Sequence, residues 1–165
     1  SKFKNKNMSG KVFYVTKEKL QELKKEYEDL VASERHKTVG EEAPKILESE
    51  DVNPEFISFQ EDMDTLRSRI NFLEEVFEGH EIIKKPSKEK QSFVDIGAKV
   101  KLETNGKSND FMIVGTLEAN PDIGKISNES PVGKALLGRK IGEEILINSP
   151  EKRKYKIKDI SYEIS

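Results

Sequence analysis

The sequence predicts an α+β protein in which a long two-helix hairpin precedes a smaller β-rich domain. Apolar residues recur at heptad spacing in the first half of the chain, which is typical of paired helices. Short runs of alternating apolar and polar residues fill the second half, which is typical of strands with one solvated face. Charged residues make up 36% of the 165 residues and hydrophobic residues only 34%. This balance is unusual for one compact globule and indicates that part of the chain is either disordered or elongated, with much surface per residue.

The first helix is predicted over residues 17–47, with Thr16 as its N-cap. An apolar seam follows at steps of 3, 4 and 3, formed by Leu20, Leu23, Tyr27 and Leu30. Pro44 lies inside the predicted helix and is expected to kink it or to end it early.

The second helix has clearer boundaries, with Asn53 as N-cap, Pro54 at the first helical position and Gly79 at the C-terminal cap. Its seam runs at alternating steps of 3 and 4 through Phe56, Phe59, Met63, Leu66, Ile70, Leu73 and Phe77. A seam this narrow needs a partner helix. We therefore predict an antiparallel coiled-coil hairpin over residues 14–83, preceded by a tail over residues 1–13.

Acidic residues are concentrated around the turn between the two helices. Residues 41–64 contain nine acidic residues and one lysine, a net charge of −8, although the whole chain carries only −2. Glu48, Glu50 and Asp51 cluster where helix packing does not require them, and Coulomb repulsion disfavours such a cluster. Two interpretations stay open: a solvated charged face, or a tip with a functional role. Glu55 also complements the dipole of the second helix.

The second half is predicted to be a linker over residues 84–91 and a β-rich domain over residues 92–165. Asn105-Gly106 indicates a hairpin turn, and Ser130 followed by Pro131 indicates one short helix. The predicted strands are Phe93–Ile96, Ala98–Glu103, Asp110–Gly115, Glu144–Ile147 and Arg153–Ile160. The lysines of the last strand form either a basic face or the protective charges of an edge strand.

Residue types that support other chemistries are missing or scattered. The chain has no cysteine, which excludes disulfides, thiolate metal sites and cysteine nucleophiles. His36 and His80 are far apart in sequence, and neither a Gly-rich phosphate loop nor an HExxH motif occurs. No apolar run approaches the roughly 18 residues of a membrane span, so no membrane partner is expected.

Four segments resemble the bacterial GreA/GreB transcript-cleavage factors, and they occur in the order of that family. Together they extend over residues 14–160, almost the whole chain. They are YVTKEKLQELKKEYEDL (14–30), VDIGAKVKLE (94–103), FMIVGTLEANPDIGKIS (111–127) and SPVGKALLGRKIGEEILINSPEKRKYKI (130–157).

The resemblance implies an N-terminal coiled coil and a C-terminal domain similar in fold to FK506-binding proteins. It implies a monomeric, cytoplasmic accessory factor of bacterial RNA polymerase, not itself an enzyme. The C-terminal domain would dock at the polymerase secondary channel, with Ser130, Pro131, Lys134 and Arg139 as candidate contacts. The coiled coil would reach the active site and the 3′ end of the nascent RNA.

At the tip, the resemblance implies that carboxylates help hold the second Mg²⁺ of the polymerase, so that backtracked RNA is hydrolysed. Glu50 and Asp51 are the candidate catalytic and metal-binding residues, with Glu48 and Glu55 as alternates. The Mg²⁺ would be shared with the polymerase, and no cofactor is expected to bind tightly to the free protein, because Mg²⁺ dehydrates reluctantly.

The tip departs from the family pattern, which is approximately G-D-L-(S/K)-E-N-A-E-Y, where this chain has ESEDVNPEF. In the register set by Asn53 the two family acids fall on Ser49 and Val52, whereas a one-residue gap places Glu50 at the first position. Stimulated cleavage and inhibition without cleavage therefore remain alternatives. Hypotheses of another class are a coiled-coil adaptor or chaperone, or a prolyl isomerase suggested by the C-terminal fold.

Overall fold

The computed structural model describes residues 10–39, 54–148 and 151–164. Two compact units divide the chain. The first takes in Glu18–Gly79, and the second takes in Phe13–Lys17 together with His80–Ser165. Long helices dominate the first unit and a five-stranded sheet the second, which confirms the predicted α+β class. In the described part of the chain, no helix is both long and apolar enough to cross a membrane.

The first unit contains the helices α1 (Lys17–Val39) and α2 (Pro54–Glu78). Ion pairs between the two helices show that they are antiparallel, because a residue later in α1 pairs with a residue earlier in α2. Arg69 binds Glu26 through two hydrogen bonds of 2.7 and 3.0 Å. Further along α1, Glu34 lies 3.9 Å from Arg67. The helix pairing is the predicted one.

The seam between α1 and α2 is most closely packed near the start of α1 and the end of α2. Leu73 and Val76 are fully buried, and the Tyr27 ring meets Phe77 edge-on with 5.4 Å between ring centroids. All seven predicted α2 seam residues are buried or half-buried. On α1 the seam becomes polar after Leu30, because the half-buried positions that follow are Ser33, Glu34 and Lys37. The packing therefore weakens towards the far end of the described pair.

Several sequence predictions for the turn lie outside the described residues. They include the bend at Pro44, the N-cap Asn53 and the acids Glu48, Glu50 and Asp51. At the other end of α2, the Gly79 amide donates to the carbonyls of Glu75 and Val76, both at 3.2 Å, and so closes the helix where the sequence predicts.

The sheet of the second unit has the order β5-β4-β3-β7-β6. Its strands pair antiparallel except for β4 with β5, and a left-handed Asn105-Gly106 turn joins β3 to β4 as predicted. The strands are β3 (Lys99–Thr104), β4 (Lys107–Val114), β5 (Lys125–Ser127), β6 (Glu144–Ile147) and β7 (Arg153–Ser161).

One face of this sheet forms the core of the unit. A single helix, α3 (Pro131–Leu136), covers that face and buries Leu136 completely. The register of β3 against β7 shifts between Lys101 and Leu102, which leaves Lys158 as an extra residue on β7. This bulge brings Ile157 and Ile160 to the same face, so both are buried although they are three residues apart.

Two short parallel strands, β1 (Phe13–Val15) and β2 (His80–Ile82), form a separate small sheet in the second unit. The sequence did not indicate these two strands. Most of their residues lie inside the range 14–83 that was predicted to be the helical hairpin. Three-residue strands contain too few residues for a periodic pattern.

The predicted strand Phe93–Ile96 is wrong. Only Phe93 forms a bridge, with Lys140, and the chain then turns at Asp95, where the Ala98 amide donates to the Asp95 carbonyl at 3.0 Å. The apolar alternation of this segment comes from Val94 and Ile96, which pack against the core from a loop.

Candidate functional site

Two regions contain the residues that the sequence singled out: the acidic segment between α1 and α2, and the segment around α3. Of the four candidate tip acids, the structure describes Glu55 alone. It is the second residue of α2, exposed to solvent and in the first helical turn, where it complements the helix dipole. Glu48, Glu50 and Asp51 lie outside the described residues.

The chemistry of the tip residues suits a hard cation. Carboxylate oxygens are the ligands that Mg²⁺ takes in proteins, usually one or two of them with several waters. In the ranges that the structure describes, no three His, Asp or Glu side chains come together as a metal site. The described residues thus supply Glu55 at most to such a site.

The candidate residues around α3 are spread along it: Ser130 and Pro131 lie at its start, Lys134 within it and Arg139 in the loop after it. The Ser130 hydroxyl accepts from the Gly133 amide at 3.0 Å and donates to the Ser127 carbonyl at 2.7 Å, so it caps α3 as predicted. Gly133 permits this close approach, because a Cβ there would lie 2.0 Å from the Ser127 carbonyl oxygen. The Ser130 hydroxyl is therefore used within the fold.

The other three predicted contact residues present their side chains to solvent. Pro131, Lys134 and Arg139 are all exposed. The Arg139 guanidinium also donates through Nε to the Ala135 carbonyl at 3.2 Å, which places a positive charge at the C-terminal end of α3. These side chains are available to a partner protein.

The loop after α3 is fixed to the chain around Val94. Val94 donates to the Arg139 carbonyl at 2.8 Å, and its own carbonyl accepts from Gly138 at 2.7 Å. Tyr162 anchors the other side: its hydroxyl donates to the Phe93 carbonyl at 2.6 Å and accepts from the Asp95 amide at 2.8 Å. Burial raises the pKa of Tyr162 above its usual value, so the hydroxyl keeps its proton. The loop is thus a rigid support.

This support presents three further residues that the sequence did not single out. The Lys140 ammonium lies 4.8 Å from the centre of the Phe93 ring, a cation–π contact on the surface. Phe93 is 38% exposed and Ile141 53% exposed, so both present part of a large apolar side chain to solvent. Phe93 forms a single bridge before the turn at Asp95, where the sequence predicted a strand. We define the α3 surface as Phe93, Pro131, Lys134, Arg139, Lys140 and Ile141.

The lysines of β7 do not form an uninterrupted basic face. Lys156 lies between Glu103 on β3 and Glu144 on β6. Lys101 on β3 lies in the same way between two acids, Asp110 and Asp159. Cross-strand neighbours of opposite charge stabilise a sheet, so this face is balanced and solvated. Nor is β7 an edge strand, because it lies between β3 and β6. Both predictions for the β7 lysines are therefore wrong: these residues form neither a continuous basic face nor the protective charges of an edge strand.

Polar contacts between α1 and α2 also shift two pKa values. The hydrogen bonds from Arg69 hold the pKa of Glu26 below its ordinary value. The Tyr27 hydroxyl donates to Glu74 at 2.8 Å, and this hydrogen bond raises the pKa of Tyr27. These contacts therefore favour an ionised Glu26 and a protonated Tyr27, which are the states present at neutral pH.

Sequence comparison assigns these features to a family. Residues 89–162 match the family model described as "Transcription elongation factor, GreA/GreB, C-term". The chain is 36% identical over 138 residues to a protein named transcription elongation factor GreA from Thermomicrobium roseum, with 82% of this chain and 88% of that protein covered. It is 38% identical over 157 residues to the protein of the same name from Amoebophilus asiaticus, covering 92% and 99%. The chain belongs to the GreA/GreB family of transcription elongation factors.

Among solved structures, the chain is similar to GreA factor homolog 1 from Thermus thermophilus. The sequences are 22% identical, 92% of this chain and 99% of that chain are covered, and the TM-score is 0.40.

Proposed function

We propose that the chain binds bacterial RNA polymerase at its secondary channel and stimulates hydrolysis of backtracked RNA by the polymerase. The observation that supports this most directly is the concentration of acidic residues that begins after α1 and extends into the first turns of α2. Residues 41–64 carry a net charge of −8, in a chain that is 36% identical over 138 residues to a relative named GreA. The protein would act as an accessory factor, with the polymerase performing the reaction.

In this proposal the α3 surface is the docking site. It offers three cations, Lys134, Arg139 and Lys140, beside the exposed side chains of Phe93 and Ile141. An apolar centre with a charged rim is typical of protein interfaces. Because Tyr162 and Val94 fix the loop from behind, little conformational freedom would be lost on binding.

The acidic segment is the second part of the proposal. Glu50 and Asp51 would reach the polymerase active site, with Glu48 and Glu55 as alternates. There Mg²⁺, held jointly with polymerase carboxylates, would supply an activated water for attack on the RNA backbone. This chain would present and orient the carboxylates, and the polymerase would provide the catalytic pocket. Nascent RNA would approach the tip through its 3′ end.

The proposed function also implies an oligomeric state and a cellular location. One copy of the chain would enter one polymerase, and the chain would act in the cytoplasm, where bacterial transcription occurs. No tightly bound cofactor is required, because the Mg²⁺ belongs to the complex.

The docking part is tested by polymerase affinity. Arg139→Glu and Lys134→Glu should each weaken binding about tenfold, because each places a negative charge where the surface is basic. Lys107→Glu, which makes the same charge change in the exposed hairpin between β3 and β4, serves as the matched control and should bind normally. Equal affinity for all four proteins would contradict the α3 surface as the docking site.

The activity is tested with halted, backtracked elongation complexes in Mg²⁺. Added protein should release short 3′ RNA fragments and allow elongation to resume. Slower nucleotide addition without fragment release would instead support the inhibitory alternative, which the altered tip sequence ESEDVNPEF favours. Failure to bind polymerase would contradict both.

A further inference from the structure

A groove begins beside the seam residue Tyr27 and extends over the solvent-exposed side of α1, and the proposed function does not involve it. The groove has a volume of about 630 Å³, and its described lining comes from α1 alone. Among the lining residues are Tyr27, Val31, Ala32 and Val39. Val31 is 40% exposed and Val39 82% exposed, so apolar surface is left open to solvent on a helix that already has a packed seam.

The charges on this face are arranged with opposite signs at its two ends. Glu28, Ala32, Arg35 and Val39 recur at steps of 4, 3 and 4, which places them in one row along the helix. Glu28 lies at the N-terminal end of the row, whereas Arg35 lies towards the C-terminal end with His36 beside it. Neither Glu28 nor Arg35 forms a side-chain ion pair with another described residue. The alanine between them leaves room for a close approach.

We propose that this face pairs with the same face of a second copy of the chain. In a two-fold interface each patch meets its own copy, so the patch must be self-complementary. A two-fold axis that passes between Val31 and Ala32 sets Glu28 of each copy opposite Arg35 of the other. Val31 of each copy then lies against Ala32 of the other at the centre of the contact, and two ion pairs form at its ends.

The expected association is weak, because one face of a single helix provides less area than a stable interface needs. The pair is therefore a form of the free protein at high concentration. The consequence for activity rests on the proposed function. If the secondary channel admits one pair of helices, two chains paired through α1 would be too wide to enter it. Self-association would then compete with polymerase binding.

The first experiment measures self-association of the full chain by sedimentation equilibrium, without polymerase. Glu28→Arg and Arg35→Glu should each raise the dissociation constant of the pair about tenfold, because two attractions become two repulsions. The double variant Glu28→Arg/Arg35→Glu should restore it to within about threefold of the unchanged protein. Within one α1 the two side chains are seven residues apart, about 10 Å along the axis, so this rescue cannot come from an internal pair.

The second experiment is site-specific crosslinking, which is possible because the chain has no cysteine of its own. Ala32→Cys places one thiol beside the proposed axis, and mild oxidation or a short bis-maleimide should link two copies. Glu22→Cys is the control, because that side chain is 70% exposed on α1 but lies away from the groove, so it should link far more slowly. Circular dichroism checks that each variant keeps its helix content.

Self-association that is lost in both single variants and regained in the double variant would establish the pairing. A monomer at all concentrations, or equal linking of both cysteine variants, would overturn it. An intramolecular contact from residues 40–53 of the same chain would appear as a monomer that does not respond to either charge reversal, which also overturns it. Because these measurements contain no polymerase, their failure leaves the proposed cleavage function separately testable.

Discussion

Tyr162 shows how one hydroxyl fixes a surface loop. It donates to the Phe93 carbonyl and accepts from the Asp95 amide across 69 and 67 residues of sequence. Because the residue is only 6% exposed, loss of the hydroxyl leaves two backbone groups poorly satisfied. We expect Tyr162→Phe to lower the free energy of unfolding of the second unit by about 1–2 kcal/mol. It should also loosen the α3 surface.

The measurement is chemical denaturation together with hydrogen exchange of the amides at Phe93–Asp95 and Gly138–Lys140. Tyr155→Phe is the control, since Tyr155 packs half-buried against the same core but makes no such bridge. Faster exchange in both variants, or in neither, would count against the role of Tyr162.

The pair Glu26–Arg69 gives the helix pairing a dependence on pH. The pKa of Glu26 is lowered in the folded protein, so the stabilisation is fully present above the ordinary value of 4.5 and is lost as pH falls through the folded value. Arg69→Gln should lower the free energy of unfolding of the helix pair by about 0.5–1 kcal/mol at neutral pH, because the pair is bidentate but partly exposed. The difference should shrink at pH 3, as followed by helical circular dichroism on heating. A difference that does not change with pH would exclude Glu26 as its source.

Individual residues differ in how far the sequence could predict them. The cap at Ser130 and the turn at Asn105-Gly106 follow from local chemistry, which is why the structure confirms them. The hydrogen bond from Tyr162 to the Phe93 carbonyl joins residues that are 69 apart in sequence, so local patterns do not predict it. The same holds for the contact of Lys140 with Phe93.

At the scale of elements, the charges of the sheet belong to cross-strand neighbours. Lys101 lies between Asp110 and Asp159, so Lys101→Glu would bring three acids together. We expect this change to lower the free energy of unfolding of the second unit by about 1 kcal/mol or more. Lys154→Glu is the matched control: its register partner on β6 is Leu146, so its effect should be near zero. Thermal denaturation of the two variants compares them directly, and equal effects would argue against cross-strand pairing.

Long periodic elements were predictable, whereas short or irregular ones were not. α2 repeats its apolar seam over three heptads and has Pro54 at its start, so its identity and end follow from the sequence. The strands β1, β2 and β5 have three residues each and form through contacts with distant strands. The lysines on β7 suggested an edge strand because sequence alone does not show that β6 pairs with its open side.

At the scale of the whole molecule, family membership agrees with the two units that the chain forms. The matched family segment, residues 89–162, falls within the unit that contains the sheet, and the relatives extend the likeness across the helices. The adaptor, chaperone and isomerase hypotheses receive no support from these relatives. The proposal therefore combines a docking surface in one unit with acidic residues in the other.

The central claim is that specific carboxylates between α1 and α2 act in the polymerase active site. The most direct measurement is the rate of RNA cleavage in backtracked complexes at saturating protein, for the unchanged chain and for Glu50→Ala/Asp51→Ala. We expect the double variant to bind polymerase normally and to lose at least about 100-fold of the cleavage rate, because Mg²⁺ would lose its oxygen ligands. Glu61→Ala/Asp62→Ala removes the same charge from exposed positions of α2 and should cleave normally. Full cleavage by the Glu50/Asp51 variant, or equal loss in both variants, would contradict the account.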